Sequence, residues 1–223
     1  MSSVAEGRTG IVSELIDIAN LEAAKAEAEP VAYLVVPKFL RPTALEGIVK
    51  DFPKVSEPRN HAIGKLDYGP IFAKLLEELA EPDWIRMLGE KLGVPELPEL
   101  PFTTSVRGYC EASDGNIHPD HWSKVVTVLI YPNREWTAEG GRLRILRSRT
   151  NLEDYATEIT PADGTLLAFR RSAESFHGHR RYVGPRKLIQ ISWLRRSRLA
   201  HAWQALARYG THLAKRTGLH PDG

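Results

Sequence analysis

Residues 118–146, HPDHWSKVVTVLIYPNREWTAEGGRLRIL, decide the fold. Within this stretch, 124–131 is a Val-, Leu- and Ile-rich run of strand length that stops at Pro132-Asn133, a turn signal. Gly140-Gly141 marks a second turn, and 142–147 is again of strand length. Working outward, 103–110 on one side and 155–159, 165–169 and 187–194 on the other have the same character. Asp114-Gly115, Asp163-Gly164 and Gly184-Pro185 supply turns between them. Short strands at this spacing predict a sandwich or barrel.

Residues 1–100 read differently. The Ala-, Leu- and Glu-rich segment 11–29 predicts a helix or a frayed helical arm, and 31–36, closed by Pro37, predicts a strand. Pro42 in a first turn, with Leu45, Ile48 and Val49 on one stripe, predicts a helix over 42–52. Segment 53–70 has Pro and Gly and no periodicity, hence a loop, and 71–80 and 84–92 are amphipathic helices. Pro95, Pro98 and Pro101 mark the connector into the strands. Helical periodicity returns over 198–217, where Trp203, Leu206, Tyr209 and Leu213 form a stripe that is either a packing face or a dimer contact. The expected fold class is α+β, an all-β core with flanking helices. One domain spans 1–223: a mainly helical support (1–100), the strand core (101–197) and a C-terminal helix (198–223).

Composition excludes several function classes. Hydrophobic residues make up 42% and charged residues 26%, as in an ordinary globular protein. The single cysteine, Cys110, allows no intramolecular disulfide and suits a reducing compartment. The N-terminus lacks the pattern of a signal peptide, and no apolar run approaches the roughly 18 residues that span a bilayer. A cytoplasmic location without a membrane partner is the expectation. The net charge of +2 conceals an asymmetry: residues 1–100 carry 11 Lys/Arg and 17 Asp/Glu, residues 101–223 carry 19 and 11. Complementary packing of the halves explains this more simply than an anionic ligand does. The arginines are not interleaved with aromatics, so nucleic acid is not an expected partner.

Chemistry concentrates at His118-Pro119-Asp120. A histidine and a carboxylate two residues apart on extended backbone share a face. A third ligand from elsewhere would complete a three-sided cap on a metal and leave its opposite face open, the facial arrangement used by non-haem Fe(II) sites. With eight histidines in the chain, spacing alone does not select the third ligand. His177 and His179 are both available; His121 lies out of phase with His118 on a strand.

Together with PADGTLLAFRRSAESFHGHRRYVGPRKLIQISWL (161–194), the opening stretch resembles the Fe(II)- and 2-oxoglutarate-dependent dioxygenases of the prolyl-hydroxylase-like branch. The likeness covers roughly 101–195 and runs through ordered motifs: H-x-D, the VLIYPN…W…GGRLRI block, GTLLAF and FHGH…GPR. It implies a double-stranded β-helix (jelly roll) with the metal at its open end. It implies His118, Asp120 and His177 as iron ligands, with Fe(II), 2-oxoglutarate and O2 as the reacting set and ascorbate as an optional reductant. In that family 2-oxoglutarate leaves its C5 carboxylate deep in the barrel, facing an Arg or Lys nine or ten residues after the last histidine. Arg186 and Lys187 both qualify. Strand alternation puts Arg186 with Leu188, Gln190 and Ser192, the more polar face, and a planar guanidinium suits a carboxylate, so Arg186 is preferred. Tyr109 and Tyr131 stand where the branch carries tyrosines that bond the cosubstrate, and Thr127 shares phase with Tyr131. The carboxylate of Asp120 occupies the position a related halogenase leaves small, which implies hydroxylation of a small-molecule, saccharide, amino-acid or peptidyl substrate. Residues 53–70 and the Trp122 and Trp136 region are the expected substrate mouth. The competing readings are a catalytically silent jelly-roll module that binds metal and 2-oxoglutarate, and a cupin-like zinc hydrolase.

Overall fold

The computed structural model describes residues 13–196. The expected helix at 198–223, and with it any homodimer contact, lies outside the described residues. Nine strands form two sheets: β1 (Tyr33–Val36), β2 (His61–Ala62), β3 (Phe102–Cys110), β4 (Lys124–Tyr131), β5 (Leu143–Leu146), β6 (Tyr155–Ile159), β7 (Thr165–Arg170), β8 (His177–His179) and β9 (Gly184–Leu194). The larger sheet has the order β1-β7-β4-β9-β3-β2 and the smaller β6-β5-β8, antiparallel throughout. They face each other as the two layers of a jelly roll.

Period-2 alternation gives the large sheet two different faces. On β4, Val126, Val128 and Ile130 point one way; Leu166 and Ala168 of β7 and Ile189, Ile191 and Trp193 of β9 join them. Three helices cover this outer face: α2 (Pro42–Asp51), α3 (Pro70–Glu78) and α4 (Pro82–Lys91). Each begins with proline, whose fixed φ suits a first turn that needs no N–H. Each presents apolar residues at helical spacing: Leu45 and Ile48; Phe72 and Leu75; Trp84, Ile85 and Leu88. At the centre, Trp84 meets Trp193 edge-on, ring centroids 6.1 Å apart. The inner face carries Leu129 and Tyr131 of β4, Leu167 and Phe169 of β7 and Leu188 of β9, packed against Leu143, Ile145 and Ile159 of the small sheet.

The strands expected at 124–131 and 155–159 appear with those bounds, and the others differ at their ends by up to three residues. Three departures have physical reasons. The expected helix over 11–29 contracts to α1 (Ile18–Ala23), capped by Asp17, because the flanking backbone is drawn into bridges, Ile16 to Leu40 and Glu27 to Tyr33. The expected loop 53–70 contains β2, in which His61 pairs with Val106, and a 3-10 turn, Ile63–Lys65; two residues of strand leave no periodicity to read. The three-residue β8 is equally short and was not expected as a strand. No helix among the described residues is long and apolar enough to cross a membrane.

Candidate active site

His118 and Asp120 do not lie on a regular strand. They sit in the segment between a 3-10 turn (Ala112–Gly115) and β4, where a single bridge fixes the backbone: His118 N–H donates to His177 O and His177 N–H to His118 O, both 3.1 Å. The strand-phase argument for the H-x-D pair therefore gives way to local pinning on β8. Its consequence for the side chains is the same. One ligand-type atom each from His118, Asp120 and His177 falls within 4.8 Å of the others. Neither His121 nor His179 belongs to this group: His121 turns to Ser123 Oγ (2.8 Å), and His179 Nδ1 donates to Arg180 O (2.9 Å).

The hydrogen bonds prepare both imidazoles. His118 Nδ1 donates to Asn116 O (2.9 Å) and His177 Nδ1 to Ser175 O (3.0 Å), because a carbonyl can only accept. With Nδ1 engaged as the donor, Nε2 is the ring nitrogen left to a metal. Burial, then the neighbouring His118, pushes the His177 pKa down to about 4, against an opposing pull from Asp120, so the ring is neutral near pH 7. Burial would raise the Asp120 pKa, but Lys124, His177 and a hydrogen bond from Thr127 outweigh it and hold the carboxyl well below the usual range. Lys124 Nζ is 2.7 Å from Oδ1, and Thr127 Oγ1 donates to Oδ2 at 2.5 Å. Two neutral imidazoles and one ionised carboxylate fit Fe(II) as a donor set.

These groups open on a cavity of about 190 Å³ between the sheets. Its inner wall holds Leu129, Tyr131, Leu143, Leu188, His179 and Arg186. Arg186 is 4% exposed, donates to Gly141 O at 3.0 Å and sits 3.5 Å from the Tyr131 hydroxyl. Among the described residues no carboxylate pairs with it. A buried guanidinium left without a counter-charge is costly unless a ligand supplies one, and the cavity is where that ligand fits. Lys187 is on the opposite strand face, its Nζ 5.9 Å from the Phe52 ring. The double glycine does more than turn the chain. Gly141 has φ +78°, and a Cβ there would stand 2.6 Å from Trp136, so only glycine delivers the carbonyl that holds Arg186.

The other expected cosubstrate contacts divide. Tyr131 is fully buried in the cavity wall, and burial raises its pKa despite Arg186, keeping the hydroxyl neutral. Thr127 lines the cavity but gives its hydroxyl to Asp120. Tyr109 is not among the lining residues: the ladder shifts register between Arg107 and Tyr109, and Cys110 is the side chain that reaches His179, Sγ to Nε2 3.8 Å. Asp114, Lys124 and Arg107 line the wall without being read from sequence as site residues, and Gln190 is placed from sequence only by its strand face. Asn60 joins the last two, accepting from Arg107 Nε and donating to Gln190 Oε1, 3.2 Å each. Only Lys124 left a trace, as the one cation opening an apolar strand. Of the expected mouth, segment 53–70 contributes Asn60, Trp122 is 42% exposed, and Trp136 braces the glycine turn through Gly140 O at 3.0 Å.

Residues 106–195 match the model of the 2OG-Fe(II) oxygenase superfamily. By fold, the chain is similar to a prolyl-4-hydroxylase from Pseudomonas putida, with TM-score 0.54 and 17% identity over 80% of this chain and 92% of that one. A viral collagen prolyl hydroxylase from Paramecium bursaria Chlorella virus-1 aligns with TM-score 0.46 and 16% identity over 74% and 96%. No curated protein matches the sequence. Residues 106–195, which carry His118, Asp120, His177 and Arg186 on a jelly-roll frame, form a 2OG-Fe(II) oxygenase domain, the part of the chain that makes it a 2-oxoglutarate-dependent oxygenase using Fe(II) and O2.

Proposed function

We propose that the chain hydroxylates an unactivated C–H bond of a small-molecule or peptidyl substrate, with His118, Asp120 and His177 as the iron ligands and Arg186 as the partner of the 2-oxoglutarate C5 carboxylate. The observation that carries this reading is the buried, uncompensated Arg186 in the same cavity as the three ligand atoms. When bound, Fe(II) with 2-oxoglutarate and O2 supplies the oxidising power for C–H cleavage, with succinate and CO2 as co-products. The chain's own residues do the rest. Backbone carbonyls orient both imidazoles, and Thr127 and Lys124 hold the Asp120 carboxylate. Leu129, Leu143 and Leu188 keep water from the inner end. Asn60, Arg107, Lys124 and Gln190 give the wall polar groups suited to a substrate with hydrogen-bonding or anionic groups near the reacting carbon. Asp120 fills its ligand position with a carboxylate, which favours hydroxylation over halide transfer.

The test is succinate release from 2-oxoglutarate by protein loaded with Fe(II), in pools of metabolites and peptides, followed by mass spectrometry for the gain of one oxygen. Substrate-stimulated succinate together with that gain supports the reading. 2-Oxoglutarate binding without any succinate, in every pool, would favour a silent binding module instead.

A further inference from the structure

A second cleft, of about 300 Å³, lies where the two flanking neighbours of β4 end. β7 and β9 both run antiparallel to β4, so their C-terminal ends emerge together on either side of its start. This topology brings Arg170-Arg171 and Arg195-Arg196, remote in sequence, onto one wall system around Val125. The ladder continues past the strands to fix them: Arg171 N–H donates to Val125 O at 2.8 Å and Arg195 N–H to Ser123 O at 2.9 Å. Part of the basic excess of residues 101–223 is therefore gathered in one place.

Each guanidinium is held by a backbone carbonyl. Arg170 reaches Gly93 O (3.3 Å), Arg171 Asp120 O (3.1 Å), Arg195 Trp122 O (3.0 Å) and Arg196 Glu99 O (2.9 Å). Only Arg196 also meets a carboxylate, Glu99 at 3.1 Å; among the described residues Arg170, Arg171 and Arg195 pair with none. Carbonyls orient these side chains without cancelling their charge, and each guanidinium has five N–H donors, of which one or two are used. Four arginines line the cleft with Glu96 as its lining carboxylate, and the three without an ion pair among the described residues favour an anion whose oxygens take paired N–H donors, which phosphoryl oxygens do well.

We propose that this cleft is a binding site for a small, multiply charged phosphoryl anion, separate from the oxygenase cavity. Arg171 and Arg195 also bond the 120–122 backbone, so the cleft and the candidate metal loop share two anchors.

Sodium pyrophosphate is the probe, titrated calorimetrically into the metal-free, chelator-free full-length protein in chloride buffer. One equivalent should bind. Arg170→Gln and Arg195→Gln should each weaken it by about 10- to 100-fold, the worth of a hydrogen bond to a charged group, with the melting temperature measured beside each to verify folding. Arg186→Ala should leave the affinity unchanged, and saturating 2-oxoglutarate should not displace the anion. The proposal is overturned by no binding to wild type, or by binding lost in Arg186→Ala but retained in the two cleft variants.

Discussion

The two faces of the large sheet are made from the same strands and obey opposite rules. The outer face meets α2, α3 and α4 mainly through Val, Ile, Leu, Ala and Trp, and among the described residues the indole N–H of both Trp84 and Trp193 finds no partner. An unmade hydrogen bond costs about 1–3 kcal/mol each, which the burial of two large rings offsets. The inner face, one residue out of phase, carries Thr127, Tyr131 and Arg186 among its leucines and satisfies their polar atoms one by one. Packing decides the first face; unfinished electrostatics decides the second, because Arg186 still lacks a counter-charge. Substitutions on the outer face should therefore cost stability, and substitutions on the inner face should cost function.

The largest effect is expected at the three proposed ligands. His118→Ala, Asp120→Ala and His177→Ala should each abolish 2-oxoglutarate turnover, while His179→Ala retains a measurable rate; a succinate assay reads all four. A dead His179→Ala beside an active His177→Ala would exchange their roles. On the outer face, Trp193→Ala removes a fully buried ring at the Trp84 contact and should lower unfolding free energy by about 3–5 kcal/mol. Denaturant melts would measure it, and 2-oxoglutarate affinity of the protein that remains folded should stay within a few-fold. A Trp193→Ala protein of unchanged stability would dissolve the contrast between the faces.

Smaller effects lie at the edges. Asn60 ties the 53–70 segment to Arg107 and Gln190 at the cavity wall, so a bound substrate should protect that segment from proteolysis more than 2-oxoglutarate alone. Equal cleavage in both states would make it a plain connector. The small sheet's far face is held by charge, where Arg144 pairs with Glu158 (2.6 Å) and Glu153 (2.8 Å). Hydrogen bonds from Arg180 and Arg144 lower the exposed Glu153 carboxyl from 4.5 to about 2. A folded-state pKa below the unfolded one contributes stability above the ordinary value that is lost as pH falls toward the lower one. Thermal melts from pH 5 to pH 2 should be slightly flatter for Glu153→Gln than for wild type, and an identical slope would remove Glu153 from the acid response.

The contrast also explains what could be read from sequence. The outer face was legible because burial on one side imposes alternation along its strands, so β4 emerges with its full bounds. The same alternation set the phase of Arg186 against Lys187. Of the site, His118, Asp120 and His177 were legible through ordered motifs and not through periodicity, since His118 rests on one bridge and β8 is three residues long. Tyr109, placed by resemblance, is not among the lining residues; the ladder shifts register between Arg107 and Tyr109, and nothing in FTTSVRGYC except a glycine hints at that shift. Asn60, Arg107 and Gln190 come together only because a two-residue strand pairs at a sheet edge, a tertiary fact with no local signature.

The account rests on Arg186 waiting for a carboxylate, and one titration tests it. 2-Oxoglutarate is added anaerobically to the Fe(II)-loaded protein while the metal-to-ligand charge-transfer band is followed. Truncating one partner of a buried charge pair costs about 2–5 kcal/mol, so Arg186→Ala should bind roughly 30-fold to several thousand-fold more weakly. Lys187→Ala, on the other face, should change affinity by only a few-fold, and Fe(II) should bind to both. A larger loss for Lys187→Ala, or wild-type affinity in Arg186→Ala, would contradict the assignment of this cavity to 2-oxoglutarate.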